Sequence, residues 1–207
     1  MENKREIRAF NFEVRAEESE QHGHFLSGRP IVYGQHTDMG WYDEVIADGA
    51  LENADLKDVR FLINHNTDMI PLARSRNKTE NSTMQLRIVQ GEGMEIRVDL
   101  DTENNADARS LYSAVGRGDI TGMSFMFTVA SDTWADEDTD YPKRTINQIS
   151  RVFEVSAVTF PAYAQTSINT RGLSDALDSA KESLESARAE KRKIEQRKKK
   201  IKLICEV

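Results

Sequence analysis

The sequence contains one cysteine, Cys205, in 207 residues, and it has no apolar run as long as a membrane span. A single cysteine cannot form an internal disulfide or supply a cysteine-rich zinc site. No membrane-spanning helix is predicted, because a span needs about 20 consecutive apolar residues. The first residues also lack the apolar stretch of a secretory signal. We therefore expect a reducing compartment, bacterial or viral in the host cytoplasm.

The charge is divided unevenly along the chain. The sequence has 28 Lys and Arg against 35 Asp and Glu, a net charge of −7. Residues 172–207 carry 10 basic and 7 acidic side chains, which leaves 18 and 28 for residues 1–171. The first part is therefore strongly acidic, which argues against nucleic acid as its main partner. We predict a folded domain over residues 1–171 and a charged helical tail over residues 172–207.

The first part has the pattern of short strands separated by turns. Phe10, Phe12 and Val14 alternate with polar residues, which is the period of a half-buried strand. The apolar runs 84–89 and 94–100 flank a glycine-containing turn and predict a hairpin. Residues 102–117 have helical spacing and end in glycines. We predict an α+β fold, a β-rich barrel or sandwich with a few surrounding helices.

The tail is rich in Ala, Ser, Glu, Lys and Arg and has no Pro or Gly from Ser174 onward, which predicts a helix. A heptad pattern puts two sets of residues on one seam: Leu177, Leu184, Lys191 and Lys198, and Ala180, Ala187, Ile194 and Ile201. Lysines on the seam make a coiled coil weak. Three interpretations stay open: a solvated charged helix, docking on an acidic helical scaffold, and non-specific attraction to DNA.

A histidine at the end of an apolar strand is the first candidate for chemistry. His65 follows the run Val59 to Ile63, so the strand can hold its backbone rigidly. Imidazole titrates near neutral pH and suits a general base. The alternative is a histidine that only forms a hydrogen bond at the strand end.

A serine and an acid lie inside two further apolar segments. Ser124 has bulky apolar neighbours, and its hydroxyl needs a nearby base to act as a nucleophile. The alternative is a core serine bonded to a backbone carbonyl. Glu154 lies in an apolar strand, where burial without a partner is costly. A histidine or arginine partner explains it, and so does a salt bridge at the rim. Ser156 competes with it for a polar role.

Four blocks in order resemble the tailed-phage prohead maturation proteases, relatives of the herpesvirus assemblin fold. The resemblance covers about Ile7 to Arg171, and the blocks are Tyr42 to Leu51, Leu62 to His65, Gly118 to Phe125, and Glu154 to Tyr163. It implies an assemblin-like barrel and a serine endopeptidase. It also implies that Ser124 is the nucleophile, His65 the base, and Glu154 the third member of the catalytic group.

The resemblance also implies the biological setting. The substrate would be the scaffolding part of the major capsid protein, or a separate scaffold, inside the assembling prohead in the host cytoplasm. Self-cleavage is expected between Arg171 and the lysine cluster, and a homodimer is possible. No cofactor, metal or membrane is expected, and DNA contact by the tail is the disfavoured alternative. The alternative is a non-enzymatic scaffold or chaperone of capsid assembly.

One acidic run resembles the start of a calcium loop. It extends from Asp136 to Asp140, but Tyr141 stands where the loop needs glycine and Asn147 where it needs glutamate. We interpret this run as a solvated acidic loop.

Overall fold

The computed structural model describes residues 4–10, 14–76, 81–160 and 170–205. Within these ranges the chain forms eleven strands and two helices: β1 (Arg5–Phe10), β2 (Arg15–Ser19), β3 (Gly23–Val32), β4 (Thr37–Asp38), β5 (Asp43–Ile46), β6 (Asp58–Ile63), β7 (Ala73–Arg76), β8 (Met84–Val89), β9 (Gly93–Asp99), α1 (Ala106–Gly116), β10 (Gly122–Ala135), β11 (Lys143–Val158) and α2 (Thr170–Cys205).

The strands form two sheets. The larger has seven strands in the order β1-β10-β11-β5-β4, with β6 attached to β11 and β7 to β6, and the smaller has the order β2-β3-β9-β8. The predicted strand-rich α+β class is confirmed. The described strands do not close into the predicted barrel. The reason is the length of β11, which pairs with β5 through Lys143–Ile146 and with β6 through Glu154–Ala157, so that the sheet branches at β11.

One apolar core joins the two sheets. Leu26 and Ile31 from the smaller sheet belong to the same buried cluster as Phe61, Phe125 and Phe127 from the larger sheet. Each large apolar side chain buried there contributes roughly 1.5–3 kcal/mol relative to an exposed one. The core thereby fixes β6, β10 and β11, the strands that carry the three candidate catalytic residues or end beside them.

The local elements agree with the sequence pattern in two places and differ in a third. The hairpin is confirmed as β8 and β9. The predicted helix is confirmed as α1, and Asn105 caps it by accepting hydrogen bonds from the backbone N–H groups of Asp107 and Ala108. Residues 145–149 and 152–159 are two separate β-rich runs in the sequence, but up to Val158 both belong to one strand, β11. Ser150 and Arg151 do not interrupt it, because Ser150 and Val152 form backbone hydrogen bonds with Asp55.

A buried charge cluster joins β1 to the rest of the larger sheet. Its members are Glu6, Arg8, Glu44 and Arg144, each at most 3% exposed. Arg8 donates to Glu6 at 2.6 Å and is paired with Glu44, and Arg144 donates to Glu6 at 2.9 and 3.0 Å. Burial alone raises the pKa of Glu6, but the charges of Arg8 and Arg144 hold that pKa below its usual value. The cluster therefore keeps the Glu6 carboxylate ionised and holds β1 in place.

The first half of α2 packs on the body. Ala176, Ala180 and Leu184 are buried, the last two in a small cluster with Met39, Tyr42 and Trp134. Polar contacts reinforce this packing: Ser179 donates to Glu6 at 2.9 Å, Ser183 to Asp132 at 2.8 Å, and Lys191 to Asp138 of the acidic loop at 2.7 Å. The boundary predicted at residue 171 stays a prediction, and these contacts tie the following residues to the body.

Candidate active site

Strand pairing gathers the polar residues of β10 and β11 on one face of the larger sheet. Ser124 is directly opposite Ser156, and Met126 is opposite Glu154. Paired residues of an antiparallel sheet share a face, and their Cβ atoms are about 4.5–5.5 Å apart. Alternation along the strand then places Glu154 on the same face as Ser156. Ser124, Ser156 and Glu154 are therefore neighbours on this face.

A turn with unusual backbone angles brings His65 back over that face. Asn64 and His65 have φ angles of +51° and +57°, in the left-handed region that non-glycine residues rarely occupy. The turn is held by a backbone hydrogen bond from Asn64 to Ala157 at 3.0 Å. The Asn64 side chain also exchanges two hydrogen bonds with Thr159, at 2.9 and 3.1 Å. Such strained conformations persist only where surrounding contacts enforce them, and they cluster at functional sites.

The imidazole of His65 is paired with the carboxylate of Glu154. The distance from Nδ1 to Oε1 is 2.5 Å, and the two side chains are 10% and 4% exposed. Since a carboxylate accepts, Nδ1 is the nitrogen that carries the proton, and in the neutral form of this imidazole Nε2 has a lone pair. An imidazole in this state can accept a proton from a nucleophile through Nε2, as the base of a serine triad does. The structure thus gives Glu154 a histidine partner and excludes the rim salt bridge.

Ser156 supports both members of this pair. Its Oγ donates to Oε2 of Glu154 at 2.6 Å and accepts the backbone N–H of His65 at 3.1 Å. The carboxylate is therefore oriented at both oxygens, by His65 at one and by Ser156 at the other. Sequence reasoning noticed Ser156 without giving it a role. The signal was its place two residues after Glu154, which puts both on one face of a strand.

Ser124 is close to this pair but is bonded elsewhere. It is fully buried, and its hydroxyl donates to the backbone carbonyl of Arg8 on β1 at 2.8 Å. Ala9 of β1 is paired with Ser124, so β1 lies alongside it. The structure thus brings His65 and Glu154 into contact, whereas the Ser124 hydroxyl has the backbone-carbonyl partner that the sequence left open as an alternative.

Sequence reasoning missed the charged residues that hold β1 beside Ser124. The signal was present: Glu6 and Arg8 are two positions apart and lie an even number of positions from Phe10, where the alternating pattern begins; Phe12 of that pattern lies outside the described residues. The same period of two places both charges on the buried face. Their burial shows that this strand is held by ion pairs as well as by apolar contacts.

Two exposed apolar side chains occur next to the His65 turn in sequence. Phe160 is 67% exposed and follows Thr159, and Ile70 is 82% exposed five residues after His65.

Among the described residues, no group of three or more His, Cys, Asp or Glu side chains is arranged to hold a metal ion. None of the helices described is long and apolar enough to cross a membrane.

The model of the caudovirus prohead serine protease family matches residues 10–180 of the chain. The chain belongs to this family. The matched region contains His65, Ser124 and Glu154 and ends inside the packed half of α2. A structure of the bacteriophage T4 capsid assembly protease, gp21, is also similar, with 11% identity and a TM-score of 0.39 over 74% of this chain and 98% of that one. No curated protein matches significantly.

Membership of the family makes this chain a prohead protease, with serine chemistry as the family's mechanism. The match agrees with the resemblance found from the four sequence blocks. It does not say which side chains of this prohead protease react, so the catalytic roles rest on the geometry of His65, Glu154 and Ser124.

Proposed function

We propose that this prohead protease is a serine endopeptidase in which Ser124 is the nucleophile, His65 the base and Glu154 the acid that orients and stabilises the base. The observation that carries the proposal is the short pair from His65 Nδ1 to Glu154 Oε1, formed beside Ser124. A carboxylate on Nδ1 fixes the tautomer and stabilises the imidazolium that forms during acyl transfer.

In the proposed reaction, Nε2 of His65 takes the hydroxyl proton while Oγ of Ser124 bonds to the scissile carbonyl carbon. The tetrahedral intermediate then breaks its C–N bond, and His65 returns the proton to the leaving amine. A water molecule, deprotonated by His65, then attacks the acyl carbon, the C–O bond to Ser124 breaks, and His65 returns the proton to Oγ of Ser124. The chain needs no group beyond these residues and water for the bonds and protons to balance.

In this proposal, the arrangement seen here is that of the free enzyme before substrate binds. The Ser124 hydroxyl is directed to the Arg8 carbonyl, so it must turn about its Cα–Cβ bond before His65 accepts its proton. Catalytic hydrogen bonds are often absent or long in free enzymes and form only in the complex with substrate. Because Ser124 is also fully buried, substrate engages it only after β1 shifts and the side chain rotates.

The proposed substrates are the scaffolding part of the major capsid protein, or a separate scaffold protein, and the chain itself, inside the assembling prohead in the host cytoplasm. Self-cleavage is proposed between Arg171 and the lysine cluster. A cut there falls inside α2, and when it precedes Ala180 the C-terminal piece is still held to the body by the packing of Ala180 and Leu184. A homodimer belongs to this proposal, and contact of the tail with DNA is the disfavoured alternative.

The burial of Ser124 favours a second candidate, a non-enzymatic scaffold or chaperone of capsid assembly. A fully buried hydroxyl that already donates to a backbone carbonyl is also what a core serine presents. The strained His65 turn and its paired carboxylate weigh against this reading, because a merely structural residue has no need of either.

Co-expression with the major capsid protein tests the two candidates. Wild type is compared with Ser124→Ala and with Ser110→Ala, an exposed serine on α1 that serves as the matched control. Mass spectrometry should find shortened capsid protein with wild type and Ser110→Ala, and full-length capsid protein in assembled shells with Ser124→Ala. Normal cleavage by Ser124→Ala refutes the assigned nucleophile. If capsid protein stays full-length with wild type and every variant, and shells assemble only when the chain is co-expressed, the non-enzymatic scaffold or chaperone is favoured.

A further inference from the structure

The apolar stripe of α2 continues beyond the part that the body covers. Ala180 is buried, and Ala187 packs partly against the same small cluster. The next two positions of the heptad, Ile194 and Ile201, are 44% and 61% exposed. Lys191 contacts Glu137 and Asp138, and Ile194 still borders a groove with Trp134, but every residue from 192 to 202 is exposed.

In the set Ala180, Ala187, Ile194 and Ile201, the side chains become larger where the body no longer covers the helix. In this set of heptad positions the covered members are alanines, which lie beside Leu177 and Leu184 on the covered face of the helix. The uncovered positions are isoleucines, which a solvated helix does not need, because β-branched residues lower helix propensity. At about 1.5 Å per residue, residues 192–202 extend the helix by roughly 16 Å, enough for a second helix to pack along it.

The charge of this segment selects the partner. Eight of the twelve residues from Lys191 to Lys202 are basic, and Glu195 is the one acid among them. Like charges at a spacing of four, such as Lys193 with Arg197, destabilise an isolated helix. A second copy of the same segment adds more of the same charge and is disfavoured. Acidic side chains flanking an apolar stripe satisfy both the charges and the isoleucines.

We propose that residues 192–202 of α2 are a docking site for an acidic amphipathic helix of another protein, which packs on Ile194 and Ile201 and pairs with the surrounding lysines and arginines. The site is separate from His65, Ser124 and Glu154, so this proposal does not require the proposed catalytic function. Binding of this kind would bring the chain to its partner, and it requires both isoleucines.

The test uses the full-length protein and three labelled probes. The first is a four-heptad helical peptide with leucine on the seam and glutamate beside it. The second is an unstructured glutamate-rich peptide of equal charge, and the third is a 30-base-pair DNA duplex. Fluorescence anisotropy at low and physiological salt gives the dissociation constants, since exposed charge pairs are screened beyond about 8 Å at physiological ionic strength.

The wild-type chain should bind the helical peptide at least tenfold more tightly than the unstructured one. Ile194→Ser with Ile201→Ser should weaken binding of the helical peptide by about tenfold to a hundredfold, the cost of exposing apolar side chains of this size. Binding of the unstructured peptide should not change. Ile88→Ser is the matched control, because Ile88 is 41% exposed on β8, and it should bind as wild type does.

A second variant, Lys193→Glu with Lys198→Glu, should abolish binding of the helical peptide at physiological salt, and circular dichroism checks that each variant keeps its helix.

Equal affinity for both peptides, or no loss in the double isoleucine variant, overturns the proposal. Tighter binding of DNA that ignores the isoleucines assigns the segment to nucleic acid instead. Self-association that depends on the isoleucines in sedimentation assigns it to a second copy. Ser124→Ala should bind as wild type, which separates this outcome from the catalytic one.

Discussion

The hydroxyl of Ser156 donates to Oε2 of Glu154 at 2.6 Å, so that Glu154 meets His65 with its other oxygen already oriented. This relationship makes Ser156 a positioning residue for the proposed acid and base. It also fixes the His65 backbone, whose N–H donates to the same hydroxyl. Groups that orient a metal ligand through a hydrogen bond are typically worth one to two orders of magnitude in activity, and we expect a comparable loss when a catalytic base loses such a partner.

Ser156→Ala should therefore lower kcat by about 10- to 100-fold while KM changes little. The carboxylate of Glu154 loses one of its two partners and no longer holds the imidazole in one orientation. Ser156→Thr keeps a hydroxyl and should recover part of the activity. Steady-state kinetics on one peptide substrate measures both. Ser150→Ala, an exposed serine of the same strand, should behave as wild type. A Ser156→Ala enzyme with unchanged kcat contradicts the positioning role.

Glu154→Gln tests the acid itself. The amide keeps the size of the side chain but removes the charge that stabilises an imidazolium and fixes the tautomer of His65. In serine triads this change costs about 10⁴-fold in kcat, and a loss on the order of 10³–10⁴ is expected here. Chemical denaturation should show that the variant stays folded under assay conditions. Activity within threefold of wild type removes Glu154 from the catalytic group.

The reactivity of Ser124 should depend on the opening of β1. Because the hydroxyl is buried and donates to Arg8, a small fluorophosphonate should label the free protein slowly. Mild urea should accelerate the labelling of Ser124 and the hydrogen exchange of the β1 amides together. His65→Ala should not be labelled. Rapid labelling that is insensitive to urea would mean that Ser124 is already accessible in the resting protein.

The sequence predicted those parts of the fold that local pattern controls. The β8–β9 hairpin and helix α1 follow from turn glycines and apolar spacing, and both are confirmed. Closure of the sheet was not predictable in this way, because it depends on which strands meet at β11. The same limit applies to the site. The sequence identified Glu154 as needing a partner, but only the parallel pairing of β6 with β11 brings His65 to it.

The contact between Ser124 and Arg8 could not be predicted from sequence patterns, because it also depends on long-range strand pairing. Residues 8 and 124 are far apart in the chain, and their hydrogen bond follows from the pairing of β1 with β10. The charges that hold β1 were visible as a Glu6-x-Arg8 alternation, but their partners Glu44 and Arg144 come from two other strands. Long-range pairing, rather than residue type, decided what these side chains do.

The buried charge cluster should make the fold sensitive to acid through Glu6. The pKa of Glu6 is lower in the folded chain than in the unfolded one, where it is about 4.3. Its contribution to stability is therefore complete above that value and is lost as the pH falls through the folded pKa. Glu6→Gln should cost about 3–5 kcal/mol at neutral pH, because it leaves Arg8 and Arg144 short of a buried partner.

Urea denaturation over a pH series measures this effect. The difference in unfolding free energy between wild type and Glu6→Gln should shrink as the pH falls below about 4. Glu182→Gln is the control, because Glu182 is 69% exposed and its pair with Lys4 should contribute less than about 1 kcal/mol. A difference that stays constant with pH would show that Glu6 acts through packing and not through its charge.

Two truncations separate the packed half of α2 from its basic half. A chain that stops after residue 171 loses Ala180 and Leu184 and exposes Tyr42 and Trp134, so it should unfold at lower urea. Burial of Leu184 alone is worth roughly 1.5–3 kcal/mol.

A chain that stops after Lys191 keeps every one of these contacts and should unfold near the wild-type midpoint. It should also cleave a peptide at the wild-type rate, while the helical acidic peptide no longer binds. Tryptophan fluorescence follows the unfolding, because Trp134 donates to Ser183 of α2. Equal midpoints for both truncations would mean that α2 adds nothing to the stability of the body.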